Sequence, residues 1–251
     1  MDKEKVIPEI SKLLPEVRGK YRYYYNLAAI NWFNVGGNAE VFLKPEDELD
    51  LQQFLQNIPN DIDISVIGVG SNLIVRDGGV NGVVIKLGKG FSYIKHISED
   101  RVEVGAATLD THIAQYSIEH SIAGFEFLSG IPGTIGAGIA MNAGAYNSDV
   151  SNIVEKVYAV DFKGNQHIFS NKELGFKYRS NSLLEPMIFT KAILKGEYIA
   201  DNSSITENIK NIQESRSSTQ PIKERTGGST FRNPDNQHAW KFIDGVNGRG
   251  R

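Results

Sequence analysis

Cysteine is absent from the 251 residues, which excludes disulfides, zinc-thiolate sites and thiol catalysis and allows a reducing compartment. No apolar run approaches the roughly 20 residues needed to cross a membrane as a helix. The opening MDKEKVIPEISKLL is charged and has no continuous apolar stretch, so it is not a signal peptide. Neither sign of charge dominates: 27 Lys and Arg stand against 30 Asp and Glu, a net of -3. The basic residues are scattered, which leaves no electrostatic footprint for nucleic acid. The histidines (His96, His112, His120, His167 and His238) have no HExxH or paired ligand spacing, so no metal site is expected. These absences predict a cytoplasmic chain, expected to be monomeric, with neither nucleic acid nor a membrane as partner.

What is present is globular. With 40% hydrophobic and 23% charged side chains, the chain can bury one substantial core or two to three smaller ones. Ile10, Leu13, Leu14 and Val17 recur at helical spacing and predict a covering helix. PEDELDLQQFLQNIP repeats the pattern with Leu51, Phe54, Leu55 and Ile58, opens with acids and stops at Pro59. IDISVIGV (62–69), GVVIKL (82–87), RVEVG (101–105), IVEKVYAV (153–160) and MIFTKAILKGE (187–197) read as strands through alternation or β-branched enrichment. DTHIAQYSIEHSIAG predicts a short helix closed by Gly124, and SSITENIKNIQESR predicts one opened by a Ser204–Glu207 capping box, with Ile205, Ile209 and Ile212 on one face. The mixture predicts an α+β fold. A change to the polar, turn-rich QPIKERTGGSTFRNPDNQ places a boundary near Ala200.

Two glycine-rich stretches carry most of the chemical signal. In VIGVGSNLIVRDGG a strand runs into Gly68, Gly70, Ser71, Asn72 and Leu73, where glycines allow main-chain N–H groups to turn toward phosphate. It is neither a Walker loop nor GxGxxG, and alone it reads first as a strand-ending turn. The second stretch, EFLSGIPGTIGAGIAMNAGAY, has no charge between Glu126 and Asp149. It suits either a tightly packed core turn or a backbone laid against a large flat ligand. Two such stretches in one chain favour a dinucleotide held by main chain.

NWFNVGGNAEVFLKP, VIGVGSNLIVRDGGVNGVVIKL, GFEFLSGIPGTIGAGIAMNAGAY, GFKYRSNS and GGSTFRNP follow one another in this order. Together they closely resemble the UDP-N-acetylenolpyruvoylglucosamine reductase family of FAD enzymes in peptidoglycan precursor synthesis, from about Asn31 to the C-terminus. The resemblance implies a two-subdomain FAD-binding fold of the vanillyl-alcohol-oxidase type, here residues 1–87 with the N-terminal helix and residues 88–199. A partial substrate-binding α+β domain then follows over residues 200–251.

It also implies roles. Gly68, Gly70, Ser71, Asn72 and Leu73 match the turn at the FAD pyrophosphate. Gly130, Ile131, Pro132, Gly133 and Thr134, with Asn142, Ala143 and Gly144, match a second flavin-contacting segment. Arg179, beside Tyr178, matches the arginine at the enolpyruvyl group, Ser229 the serine proton donor, and Asn233 an asparagine near the UDP-sugar. Arg225 and Arg232 are assigned to the diphosphate by charge and position. NADPH is implied as co-substrate. The sequence departs from the family in having GVGSNL for GGGSNL and GTIGAG for GTxGGA. Up to Arg251 no acid matches the family's catalytic glutamate, so a flavin-binding protein without turnover is the alternative expectation. Tyr23 to Tyr25 are expected to pack in the core or at the surface, with packing near an adenine as the alternative.

Overall fold

The computed structural model describes residues 8–220, 231–234 and 237–248. In chain order the first elements are β1 (Lys20–Asn26), β2 (Asn38–Lys44), α1 (Glu48–Asn57), β3 (Ile64–Val66), β4 (Val80–Ile85), β5 (Ile94–Ser98) and β6 (Arg101–Gly105). There follow α2 (Asp110–His120), β7 (Ile122–Ala123), α3 (Ile135–Met141), β8 (Gly144–Ala145), β9 (Ser148–Asp149), β10 (Val154–Asp161) and β11 (Gln166–Ser170). The last are α4 (Asn171–Leu174), β12 (Met187–Lys195), β13 (Glu197–Tyr198), α5 (Ser203–Thr219) and α6 (Ala239–Gly245).

Two main sheets result. The first has the order β1-β2-β4-β3; β1 is antiparallel to β2, whereas β2, β4 and β3 run parallel. Its central strands are buried on both faces, as parallel strands usually are: Val83 and Ile85 join one core cluster and Val84 another. The second sheet is antiparallel throughout, in the order β11-β10-β12-β6-β5. This is the expected α+β architecture.

The sheets share packing. The cluster built from Leu51, Phe54 and Leu55 of α1 on Val41, Leu43 and Ile85 also takes in Val160 of β10 and Ile188 of β12. A larger cluster fills the space between the second sheet and α2, α3 and α5, with Ile113, Ile135, Ile139, Ile205 and Ile209 all buried. The apolar face of α5 therefore closes the same core as β6, β10 and β12.

Several expected elements differ. The opening helix is a single 3-10 turn, Glu9–Leu13, because Pro15 drives Leu14 into an extended conformation (ψ 134°); Ile10, Leu14 and Val17 still cover the first core. The strand read over 62–69 is confined to Ile64–Val66. Helix α2 closes on Ser121, in the left-handed region at φ 56°, and not on Gly124. The short pairing of β7 with β13 begins at once and forces the earlier end. The Ser204–Glu207 capping box does not form, since α5 starts at Ser203 with Asn202 as its cap residue, which puts Ser204 inside the first turn. YRYYY is a strand: Tyr21 and Tyr23 pack into the α1 core, and Tyr25 stacks on Phe42 with ring centroids 4.4 Å apart.

Candidate active site

The turn after β3 is held from behind. Gly70 has φ +72°, and a Cβ there would lie 2.7 Å from the Ile30 carbonyl oxygen, so only glycine allows the turn to sit against the segment before Trp32. Its carbonyl accepts from the Trp32 amide at 3.1 Å. The amides of Val69, Ser71 and Asn72, and the side chains of Ser71 and Asn72, find no partner among the described residues. Adjacent free donors on a glycine-bent backbone form an anion nest.

The second glycine-rich stretch arrives at the same place. A Cβ on Gly68 would lie 3.1 Å from Thr134 Oγ1 and 3.4 Å from the Ala137 Cβ, so the turn and the start of α3 meet across a gap kept open by a missing side chain. Thr134 is fixed by bridging to Leu109, with the Ile135 amide donating to the Thr108 carbonyl at 3.0 Å and the Gly136 amide to the Ala106 carbonyl at 2.9 Å. Gly130 is covered by the ring of Tyr146, whose hydroxyl donates to the Ile212 carbonyl of α5 at 3.3 Å. Both Tyr146 and Asn147 are left-handed, forming the tight β8–β9 hairpin that delivers that ring. The free amides of the Gly70 turn, with the second stretch packed closely behind it, fit a dinucleotide cofactor bound through main chain.

The arginine lies at the far end of α3. Lys177 and Ser180 exchange main-chain bonds at 2.9 and 3.2 Å, leaving Tyr178 and Arg179 at the tip of a two-residue hairpin. The guanidinium donates to the Gly144 carbonyl at 2.9 Å and to the Asn142 carbonyl at 3.4 Å, and stands 5.2 Å from the centre of the Tyr178 ring. No carboxylate pairs with it among the described residues. A half-buried guanidinium held by carbonyls alone keeps its remaining donors for an incoming anion. The Asn233 amide reaches the Tyr178 hydroxyl at 3.5 Å, so the structure brings these two expected substrate residues together; Arg232 is beside them and exposed. Ser229 and Arg225 lie outside the described residues.

Two functional candidates escaped the sequence reading. Lys86, at the end of β4, donates from its ammonium to the Gly68 carbonyl. Burial, with Lys44 nearby, holds its pKa below the ordinary lysine value, and no carboxylate pairs with it among the described residues. A lone lysine ending an apolar strand carries no motif that would single it out. Asp110 opens α2, its amide donating to the Gly133 carbonyl at 3.1 Å. Its carboxyl is 1% exposed, both oxygens lack a hydrogen-bond partner, and a Cβ on Gly133 would fall 2.7 Å from Oδ2. Burial pushes this acid up to about 8. By sequence it was simply an acid at a helix start. A cleft of about 720 Å³ lined by Asn152, Lys172 and Lys195 contains none of the expected site residues.

Residues 39–170 match the FAD binding domain family. The fold is shared with 6-hydroxy-D-nicotine oxidase from Arthrobacter nicotinovorans, at TM-score 0.55 and 14% identity over 72% of this chain and 42% of that one. Family match and fold thus define an FAD-binding protein of the vanillyl-alcohol-oxidase architecture.

UDP-N-acetylenolpyruvylglucosamine reductase from Thermus caldophilus superposes at TM-score 0.78 with 29% identity, over 92% of this chain and 81% of that one. The UDP-N-acetylenolpyruvoylglucosamine reductases of Rickettsia conorii and Rickettsia typhi are 50% and 49% identical over 238 residues, 95% of this chain and 80% of theirs. The chain belongs to the UDP-N-acetylenolpyruvoylglucosamine reductase family. Among the described residues no helix is long and apolar enough to cross a membrane.

Proposed function

We propose that the protein reduces UDP-N-acetylglucosamine enolpyruvate to UDP-N-acetylmuramate with NADPH as donor, a cytoplasmic step in making peptidoglycan precursors. The observation that carries this reading is the Arg179 guanidinium, tethered to the carbonyls of Asn142 and Gly144 and without a carboxylate partner among the described residues. It stands where the glycine-rich wall ends, and this is where an acidic substrate must meet a flavin.

Each residue then has a task. The free amides of Val69, Ser71 and Asn72 hold the pyrophosphate of the cofactor, and Lys86 sets a positive charge behind them. The uncharged stretch from Gly130 to Gly144 walls off water from the reacting face. When bound, FAD supplies the two-electron relay by which hydride from NADPH reaches C3 of the enolpyruvyl ether. Arg179 forks onto the substrate carboxylate and stabilises the negative charge that grows there and at C2, so its grip tightens as the reaction advances. Ser229 hands its proton to C2, completing the lactyl ether. Tyr178 and Asn233, already in contact, receive the UDP-sugar with Arg225 and Arg232.

The test uses purified protein carrying FAD. NADPH oxidation that depends on added UDP-N-acetylglucosamine enolpyruvate supports the reading. Bound FAD with no substrate-dependent oxidation refutes it and leaves a flavin-binding protein without turnover.

A further inference from the structure

The Tyr178–Arg179 hairpin, closed by the Lys177–Ser180 main-chain bonds, is also strapped to the end of α3. Arg179 occupies the left-handed region at φ +58°, which an L-residue with a long side chain adopts only where surrounding bonds require it. Besides the Lys177–Ser180 main-chain pair, one buried side chain supplies such a bond. Asn142, 4% exposed, is the left-handed residue (φ 43°) that ends α3. Its Nδ2 donates to the Lys177 carbonyl at 3.1 Å, at the base of the hairpin, while its Oδ1 accepts from the Ser151 amide at 3.0 Å. Its own carbonyl accepts from the Arg179 guanidinium. One residue therefore fixes both the root of the arginine's backbone and one end of its side chain. A second strap runs to the same helix turn, from Asn181 Nδ2 to the Ala140 carbonyl at 3.1 Å.

We propose that Asn142 is a positioning residue for Arg179, its Nδ2 holding the base of the arginine hairpin and its carbonyl one end of the guanidinium. The inference rests on the proposed role of Arg179. Both ends of the amide group are engaged, Nδ2 on the Lys177 carbonyl and Oδ1 on the Ser151 amide, and asparagine also tolerates the left-handed backbone that the end of α3 requires. The consequence is geometric. The start of α3 touches the Gly68 turn and its end holds Arg179, so the cofactor nest and the cation for the substrate carboxylate are indexed to one short helix. Hydride transfer depends on donor and acceptor being placed to a fraction of an ångström, and this shared element sets that placement.

A double-mutant cycle tests it. FAD-loaded protein is reduced chemically and mixed with UDP-N-acetylglucosamine enolpyruvate, and return of the oxidised flavin absorbance is followed per bound flavin. Arg179→Ala is expected to slow this step by about 10²–10³-fold. Asn142→Gly, which keeps the left-handed backbone and deletes the clamp, is expected to slow it by about 10–10²-fold. The double variant should be no slower than Arg179→Ala alone, because without a guanidinium there is nothing to position. If the two penalties multiply, or if Asn142→Gly is harmless, the inference is wrong. If Arg179→Ala is harmless while Asn142→Gly is slow, the role given to Arg179 fails instead, and the clamp with it. Should Asn142→Gly not fold, Asn142→Asp keeps the acceptor for Ser151, removes the donor to Lys177, and is subject to the same cycle.

Discussion

Asp110 should make the protein less stable as pH rises, and replacing it with a group that cannot titrate should abolish that penalty. Its carboxyl is buried with no hydrogen-bond partner, and it holds its proton up to about pH 8, whereas the ordinary value is 3.8. In the unfolded chain the acid ionises freely above its ordinary value, while in the folded chain it stays protonated. Between those limits the folded state binds more protons, so stability falls as pH rises and the loss levels off above the folded value. From about pH 5 to about pH 7 this single group costs about 3 kcal/mol. For a chain of this size that corresponds to roughly 6–12 °C in the melting temperature. Asp110→Asn keeps the shape and cannot titrate. Melting of both proteins, each with saturating FAD, should show the difference between the two changing by that amount from pH 5 to pH 7, the variant losing less. An unsatisfied amide costs the variant a constant amount, so the difference in slope is the decisive reading. Parallel curves across this range would refute a buried, proton-holding carboxyl.

Two further outcomes test the cofactor nest. Gly70→Ala places a methyl group 2.7 Å from the Ile30 carbonyl oxygen at a position of φ +72°; it should cost at least about 1–3 kcal/mol of stability and release FAD, seen as flavin fluorescence lost to the filtrate, and full retention would contradict the nest. Lys86→Met removes the ammonium from the Gly68 carbonyl and should weaken FAD binding by about 10–100-fold, with a shallower salt dependence, when FAD is titrated into flavin-free protein. An unchanged dissociation constant would assign Lys86 to packing alone.

The parts of the fold legible in the sequence are those where one local signal had no competitor. In α1 the acids, the apolar spacing and Pro59 all agree, and the helix runs Glu48–Asn57. RVEVG alternates cleanly and is strand β6 without adjustment. The misses come from tertiary demands. Pro15 outweighs the helical spacing of the opening segment, and the pairing of β7 with β13 outweighs the pull of Gly124. Strand β1 was missed because a run of tyrosines and arginine resembles a polar surface until β2 supplies its partner in register.

The site divides in the same way. Glycines that bring backbone near a ligand are visible as composition, and the meeting of Gly68 with Thr134 makes geometry of two separate signals. Lys86, Asp110 and the Asn142 clamp were invisible because each takes its meaning from a contact made by the fold: 18 residues away for Lys86 with Gly68, 35 for Asn142 with Lys177.

The left-handed backbone at Arg179 has an evolutionary consequence. By conformation alone this hairpin tip would prefer glycine or asparagine, by roughly 1–2 kcal/mol. Relaxed selection would therefore push the position downhill toward residues that fold at least as well and bind no carboxylate. The protein can lose its chemistry by a change that its fold welcomes, so a well-folded relative with Gly or Asn at this tip should be read as a retired enzyme.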